Sequence, residues 1–351
     1  MIKAGIIGFG YMGHFHYNKA LQTGQAEVTA ILDTDAARRE EAKAKGLKAF
    51  REDQTDDFMK EDFDLVIVAT QNQFHAEYSI QAMKAGHSVL CEKPATLSVR
   101  ELEEVIRVSN ATGQLFTVHQ QRRFDRDYLE VKETIDSEKI GHVHTVESRM
   151  MGERGVCFGW RADPECGGGM LYDWAPHLID QYLQLFPDEK VVSVYGRLCS
   201  ILTPAVDDYV EISMMFTGNI NAKIVITTFA LEKTPRWYVL ADRGSMKIDD
   251  ISGETGGISR IRKEVKGFES VLGKTGLGPS RTMAPLEPEY IEKLPLPQAE
   301  DMSMRYWNNL VAALENREEI NVKPEDVLRV MRVIEAVQTS NKRNEVVKTE
   351  I

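Results

Sequence analysis

The side chains best suited to proton chemistry in this 351-residue chain are Lys93, Asp173 and His177. Lys93 sits in Glu92-Lys93-Pro94, directly after the apolar run Ser88-Val89-Leu90-Cys91. An ammonium beside a hydroxyl orients it and stabilises the alkoxide that develops as the proton leaves. Burial lowers a lysine's pKa and lets it pass the proton itself. Pro94 biases Lys93 toward an extended backbone. His177 stands four residues after Asp173, a spacing that puts both on one face of a helix. An imidazole paired with a carboxylate is a general acid–base group near neutral pH. Pro176 belongs in a first helical turn or kinks the helix, so the pair stands at a helix start beside Gly167-Gly168-Gly169. The plain alternatives are a solvated lysine and a surface ion pair. No third ligand accompanies Asp173 and His177, so no metal is expected.

A second group of residues is suited to binding. Gly8-Phe9-Gly10-Tyr11-Met12-Gly13 has the spacing G-x-G-x-x-G, with a strand-like run before it and a helix-like run after it. The first glycine allows a tight turn, the second lets backbone approach a pyrophosphate, and the third lets helix and strand pack closely. The helix N-terminus adds N–H groups and a positive dipole end. Asp33 follows Gly13 by 20 residues (33 − 13), where its carboxylate can accept from ribose hydroxyls. It opposes a 2′-phosphate, so the pattern predicts NAD over NADP. Arg38 and Arg39 are near enough to complicate that choice.

These residues need elements to hold them. Up to about residue 122, short apolar strands alternate with helical stretches: Ile2–Gly8, Val28–Leu32, Leu65–Ala69, Ser88–Cys91 and Leu115–His119, with helices over 13–23, 35–45, 75–85 and from Ser98. Ser98 with Glu101 reads as a capping box. Leu65–Ala69 shows no alternation, as expected of a strand buried on both faces. The pattern predicts a doubly wound parallel sheet. After Arg123 the period changes. A helix over 125–136 leads to period-two strands at 208–216, 220–229, 237–241 and 245–248, which predict a mostly antiparallel sheet. Residues 250–298 read as a long irregular excursion, and two helices, over 302–315 and 324–341, close the chain. The expected domains are 1–122 and 123–351, the last helix packing back on the first.

Lys plus Arg is 43 and Asp plus Glu is 54, a net charge of −11 that argues against a nucleic-acid partner. Apolar residues make up 42%, enough for a sizeable core. The cysteines, Cys91, Cys157, Cys166 and Cys199, form no C-x-x-C pair and read as free thiols of a reducing compartment. No run is long enough to span a bilayer. A cytoplasmic protein without a membrane partner is expected.

Gly8-x-Gly10-x-Met12-Gly13-x-x-His16, Ala69-Thr70-x-Asn72-x-x-His75, Cys91-Glu92-Lys93-Pro94 and the glycine run leading to Asp173-x-x-x-His177-x-x-Asp180 occur in that order. Together they resemble the Gfo/Idh/MocA oxidoreductases over nearly the whole chain. The resemblance implies a Rossmann domain followed by an α/β domain on a large, mostly antiparallel sheet that often serves oligomerisation. A homodimer or homotetramer follows from it. It implies oxidation or reduction of a secondary hydroxyl of a sugar, glycoside, inositol or related polyol with NAD(P). His177 would accept the hydroxyl proton, Lys93 would hydrogen-bond that hydroxyl, and Asp173 would orient the substrate or the pair. Thr70, Asn72, His75 and Glu92 would approach the ribose and nicotinamide. Arg122, Arg123, Trp160 and Arg161 would line the substrate pocket. The stretch 121–132 resembles NADP-dependent scyllo-inositol dehydrogenases, against which Asp33 argues for NAD. Gln71 stands where many members have Pro, and Ala175 where Gly is common. The reading from another class is a non-catalytic NAD(P)-binding sensor, which would not need Lys93, Asp173 and His177 together.

Overall fold

Short β-branched runs between glycine turns can bury both faces only in a parallel sheet covered by helices. In a computed structural model, residues 1–120 take that form. Residues 156, 266–273, 276–277, 280–284 and 301 lie outside the described residues. The elements are β1 (Ile2–Ile7), α1 (Tyr11–Thr23), β2 (Ala26–Leu32), α2 (Ala36–Ala44), β3 (Lys48–Phe50), α3 (Thr55–Phe58), β4 (Leu65–Val68), α4 (His75–Lys84), β5 (Ser88–Cys91), α5 (Val99–Thr112) and β6 (Phe116–Val118). The six strands run parallel in the order β3-β2-β1-β4-β5-β6. Every residue of β4 is buried. The strand order reverses between β1 and β4, and the crevice outside the carboxyl ends of the strands is where such sheets bind ligands. Gly8, Ala69, Glu92 and His119 follow β1, β4, β5 and β6, so all four emerge along that edge. Ser98 and Glu101 close the expected capping box at the start of α5.

The second sheet is reached through α6 (Arg126–Asp136). It holds β7 (Val143–Met151), then, after α7 (Met170–Asp173) and α8 (Ala175–Leu185), β8 (Val191–Cys199), β9 (Tyr209–Phe216), β10 (Ile220–Thr227), β11 (Trp237–Ala241), β12 (Gly244–Ile248) and β13 (Gly256–Ile261). A short antiparallel pair, β14 (Lys274–Thr275) and β15 (Gly278–Pro279), precedes β16 (Ile291–Leu294), α9 (Arg305–Leu314), α10 (Pro324–Arg343) and β17 (Val347–Lys348). The nine strands lie in the order β16-β13-β12-β11-β7-β10-β9-β8-β17, antiparallel except between β7 and β10. Burial alternates strictly along β9 and β10, one face turned to the helix layer, in which α8 packs on β10 and α10 on neighbouring β8. Tyr182 of α8 anchors this packing, donating its hydroxyl to the carbonyls of Val146 and Lys223.

Where they are described, residues 250–298 hold more regular structure than their composition suggests. β13 and β16 extend the sheet edge, pairing Ile258 with Leu294 and Ile261 with Ile291. Main-chain hydrogen bonds hold edge strands, and a Gly-rich, charged sequence needs no apolar period to make them. Much of the remaining excursion lies outside the described residues. The C-terminal helices brace the first sheet: Tyr306 donates to the Val118 carbonyl, Thr117 to that of Val322, and Glu335 accepts the Val99 N–H. Among the described residues no helix is long and apolar enough to cross a membrane.

Candidate active site

A cleft of about 1000 Å³ runs along the carboxyl edge of the parallel sheet, from Gly8, Gly10, Asp33 and Arg38 at one end to Lys93 and His177 at the other. The glycines at its first end are required by space. Gly8 has φ +91°, and a Cβ there would stand 2.5 Å from the Ala69 carbonyl oxygen. A Cβ on Gly13 would stand 2.2 Å from the carbonyl oxygen of Gly8, so α1 touches the turn only because Gly13 has no side chain. Tyr11 and Met12 line the cleft beside Gly10. Asp33 is buried, with one carboxylate oxygen accepting from Phe9 N (2.6 Å) and the other from Asp35 N (2.8 Å). Arg38 reaches to 3.4 Å of that carboxylate. A bare backbone cradle at a helix N-terminus, with an acidic residue at the end of β2, fits a nicotinamide dinucleotide. Phe9 departs from the expected set: its ring is fully buried beneath the turn and its N–H is spent on Asp33, so it does not face the cleft.

Residues distant in sequence meet at the other end. Lys93 Nζ donates to the Asp173 carboxylate at 2.8 Å and to the Asp173 carbonyl at 2.7 Å. Arg161 Nε lies 3.6 Å from the second Asp173 oxygen. Burial raises the Asp173 pKa, but Lys93 and then Arg161 outweigh it and hold the carboxyl below its ordinary value.

Asp173 and His177 do not form the pair that their spacing suggests. The chain breaks helix at Trp174 (φ −110°), so Asp173 ends α7 while His177 belongs to the first turn of α8, with Pro176. The His177 partner is Gln120, whose Oε1 lies 2.7 Å from His177 Nδ1 and whose Nε2 donates to the Pro176 carbonyl at 3.2 Å. A carboxamide that donates to a carbonyl must turn its oxygen to the imidazole, so Nδ1 carries the proton and Nε2 keeps its lone pair. Burial, then the charges of Lys93 and Arg122, push the His177 pKa well below its ordinary value. Gln120 was not among the expected site residues. Its sequence signal is position, two residues beyond β6 on the ligand-binding edge.

The remaining expected residues divide. His75 braces the Lys93 loop, its Nδ1 2.7 Å from the Pro94 carbonyl and its Nε2 3.2 Å from that of Thr70. Thr70 and Asn72 line the cleft, and Asn72 Nδ2 donates to the Gly167 carbonyl at 3.0 Å. Glu92 also lines it, while one of its carboxylate oxygens meets His16 and His119 at 2.9 and 2.8 Å. Arg122, held by Asp125 at 2.7 Å and stacked on Trp174, faces the cleft, as do Trp160 and Arg161. Arg123 does not. It is buried in a two-pronged bond to Asp180, with Asp326 and the Asn321 carbonyl taking its remaining reach. Next to Arg122 in sequence, it turns inward because Asp180 on α8 is its counter-charge.

The family model for the oxidoreductase family with an NAD-binding Rossmann fold matches residues 2–120, and that for the GFO/IDH/MocA C-terminal domain matches residues 128–247. The chain belongs to the GFO/IDH/MocA family. As a member it is an NAD(P)-binding dehydrogenase acting on CH–OH groups. An NAD-binding protein from Listeria innocua has a similar structure, with a TM-score of 0.91 and 35% identity over 99% of both chains. The inositol 2-dehydrogenase of Salmonella typhimurium is 30% identical over 65% of this chain and 67% of its own. The scyllo-inositol 2-dehydrogenase (NADP(+)) of Bacillus subtilis is 24% identical over 99% of this chain and 96% of its own. Where this chain departs from common family residues, Gln71 lines the cleft and Ala175 is buried at the start of α8.

Proposed function

We propose that this chain is an NAD-dependent dehydrogenase that transfers a hydride between nicotinamide and a secondary hydroxyl of a sugar, glycoside or inositol-type polyol. The observation that carries the reading is the convergence of Lys93, Asp173 and the Nδ1-protonated His177 at one end of a cleft whose other end is the glycine turn. When bound, the nicotinamide supplies the hydride acceptor or donor. The chain supplies the proton path. Lys93, its ammonium aimed by Asp173, hydrogen-bonds the substrate oxygen and stabilises negative charge on it. His177 takes the hydroxyl proton on Nε2 during oxidation and returns it during reduction. Its low proton affinity makes the imidazolium a strong acid for reduction. In oxidation, Lys93 assists by making the hydroxyl itself more acidic. Arg122, Trp160 and Arg161 offer donors and a flat ring to a polyhydroxylated substrate.

Asp33 supports NAD, because its buried carboxylate would face a 2′-phosphate. Arg38, at 3.4 Å from it, supports the second reading of NADP. The uncovered face of the nine-stranded sheet supports a homodimer or homotetramer, which light scattering on the eluting protein would test. The decisive experiment supplies NAD and NADP in parallel with inositols, aldoses, glycosides and sugar phosphates and follows absorbance of reduced nicotinamide. Reduction with a polyol or sugar and a preference for NAD is expected. Exclusive use of NADP would overturn the reading of Asp33, and no turnover across the panel would overturn the substrate class.

A further inference from the structure

Behind Lys93 lies a buried cluster that the proposed proton path does not use. Oε1 of Glu92 stands 2.9 Å from His16 Nε2 and 2.8 Å from His119 Nδ1, and Oε2 accepts the Lys93 N–H at 3.1 Å. The three residues come from α1 and from just beyond β5 and β6. They are 0%, 4% and 1% exposed, with the rings of Phe15, Tyr306 and Trp307 around them.

Two histidines and a glutamate could be metal ligands or a hydrogen-bonded anion. A metal-bound histidine normally passes its other ring N–H to a carbonyl, carboxylate or water. Here His16 Nδ1 and His119 Nε2 meet no hydrogen-bond partner among the described residues. Both histidine nitrogens also already stand at hydrogen-bond distance from Glu92 Oε1. The geometry therefore favours two neutral imidazoles, each giving its single N–H to Glu92. A second N–H on either ring would be a buried donor without an acceptor, which is costly. The cluster so protonated carries one net negative charge. Burial, the largest cause, pushes the His16 pKa down to about 4, as a ring with no acceptor for a second N–H requires. The Lys93 ammonium is paired with Asp173 and not with Glu92.

We propose that the Glu92–His16–His119 cluster is a fixed buried anion that makes the catalytic end of the cleft prefer the cationic, oxidised nicotinamide over the neutral, reduced one. This rests on the reading of the cleft as a nicotinamide site. Glu92 lines the cleft next to Lys93, so its charge acts at the reacting end, whereas Asp33 acts at the ribose end. At an effective dielectric of about 20, a unit charge anywhere within roughly 10 Å of a cationic ring is enough for about a tenfold difference in relative affinity. For a two-electron couple, about tenfold corresponds to about 30 mV, in the direction that makes the bound reduced form the stronger reductant.

The test is calorimetric titration of the full chain with NAD+, NADH and ADP-ribose, with the NADP pair in parallel. Glu92→Gln is expected to weaken the oxidised form about tenfold relative to the reduced form while leaving ADP-ribose, which lacks the ring, unchanged. Glu92→Asp, which keeps the charge, is expected to keep the wild-type ratio. An unchanged ratio in Glu92→Gln with ADP-ribose still bound would overturn the proposal and leave the dehydrogenase reading standing. Should Glu92→Gln not fold, the wild type decides: reduced cofactor binding more than about tenfold tighter than oxidised overturns the proposal. Stoichiometric uptake of zinc that is lost in His16→Ala overturns it in favour of a metal site. A wild type that binds ADP-ribose but neither nicotinamide form overturns both readings together.

Discussion

The two ends of the cleft are made of different material. At the end proposed for the phosphates the decisive features are mostly backbone, close together in sequence: the space left by Gly8 and Gly13 and the N–H groups at the start of α1, with one side chain, the Asp33 carboxylate, itself tied to the N–H groups of Phe9 and Asp35. At the end proposed to be catalytic they belong to side chains brought from four places, Lys93 to Asp173 across 80 residues and His177 to Gln120 across 57. A backbone-built site needs the absence of atoms, so an added methyl group damages it. A side-chain-built site needs particular functional groups, and their loss removes chemistry while the chain still folds and binds.

The largest effect that would break this contrast is at the catalytic end. Lys93→Met and His177→Asn are each expected to lower kcat by about 10²–10⁴-fold, the usual worth of a positioned proton-transfer group. Cofactor affinity, measured by calorimetry, should change little. If affinity fell as far as turnover, the two ends would be one unit and the contrast would fail.

A smaller and opposite effect is expected from Gly13→Val. The added atoms meet the Gly8 carbonyl oxygen, and relieving an overpacked contact costs about 1–3 kcal/mol. Taken up by the turn geometry, that is about five- to a hundredfold in cofactor Kd. kcat at saturating cofactor should hold, because Lys93, Asp173 and His177 are untouched. Loss of kcat with Kd intact would reverse the assignment of the two ends.

The same contrast explains what could be read from the chain. The parallel sheet was legible because β4 and its neighbours are buried on both faces and cannot alternate. The glycine turn and Asp33 were legible because their spacing is local. Lys93 was legible from its place after β5. What escaped was partnership. Four residues of spacing alone could not reveal that the helix breaks at Trp174 between Asp173 and His177; Pro176, which lacks an N–H and stands in the first turn of α8, marked a helix start nearby but not which partner each side chain would take. Arg122 and Arg123 are neighbours of identical chemistry, and distant partners, Asp180 on α8 with Asp326 and the Asn321 carbonyl, decide which turns inward. Phe9 sits inside a binding motif, yet its ring belongs to the core. The strands β13 and β16 escaped because an edge is specified by the backbone of its neighbour more than by its own residues.

The smallest and most diagnostic effect concerns Gln120. His177 has a neutral carboxamide on Nδ1, where many catalytic histidines have a carboxylate, and burial with Lys93 and Arg122 depresses its proton affinity. Oxidation requires the neutral form, so in the wild type acid should slow it through His177 only below the ordinary histidine range. Gln120→Glu puts a carboxylate on Nδ1. An opposite charge within hydrogen-bond distance favours the imidazolium and raises the pKa by about one unit or more. The acid limb of kcat for oxidation should therefore move to higher pH by about that amount, and reduction should persist to correspondingly higher pH. Gln120→Leu removes the tether without adding charge. It should lower kcat by freeing the tautomer, with no upward movement of the limb. If both variants gave the wild-type profile, Gln120 would be packing alone. If both shifted it equally, desolvation and not the partner on Nδ1 would set the proton affinity of His177.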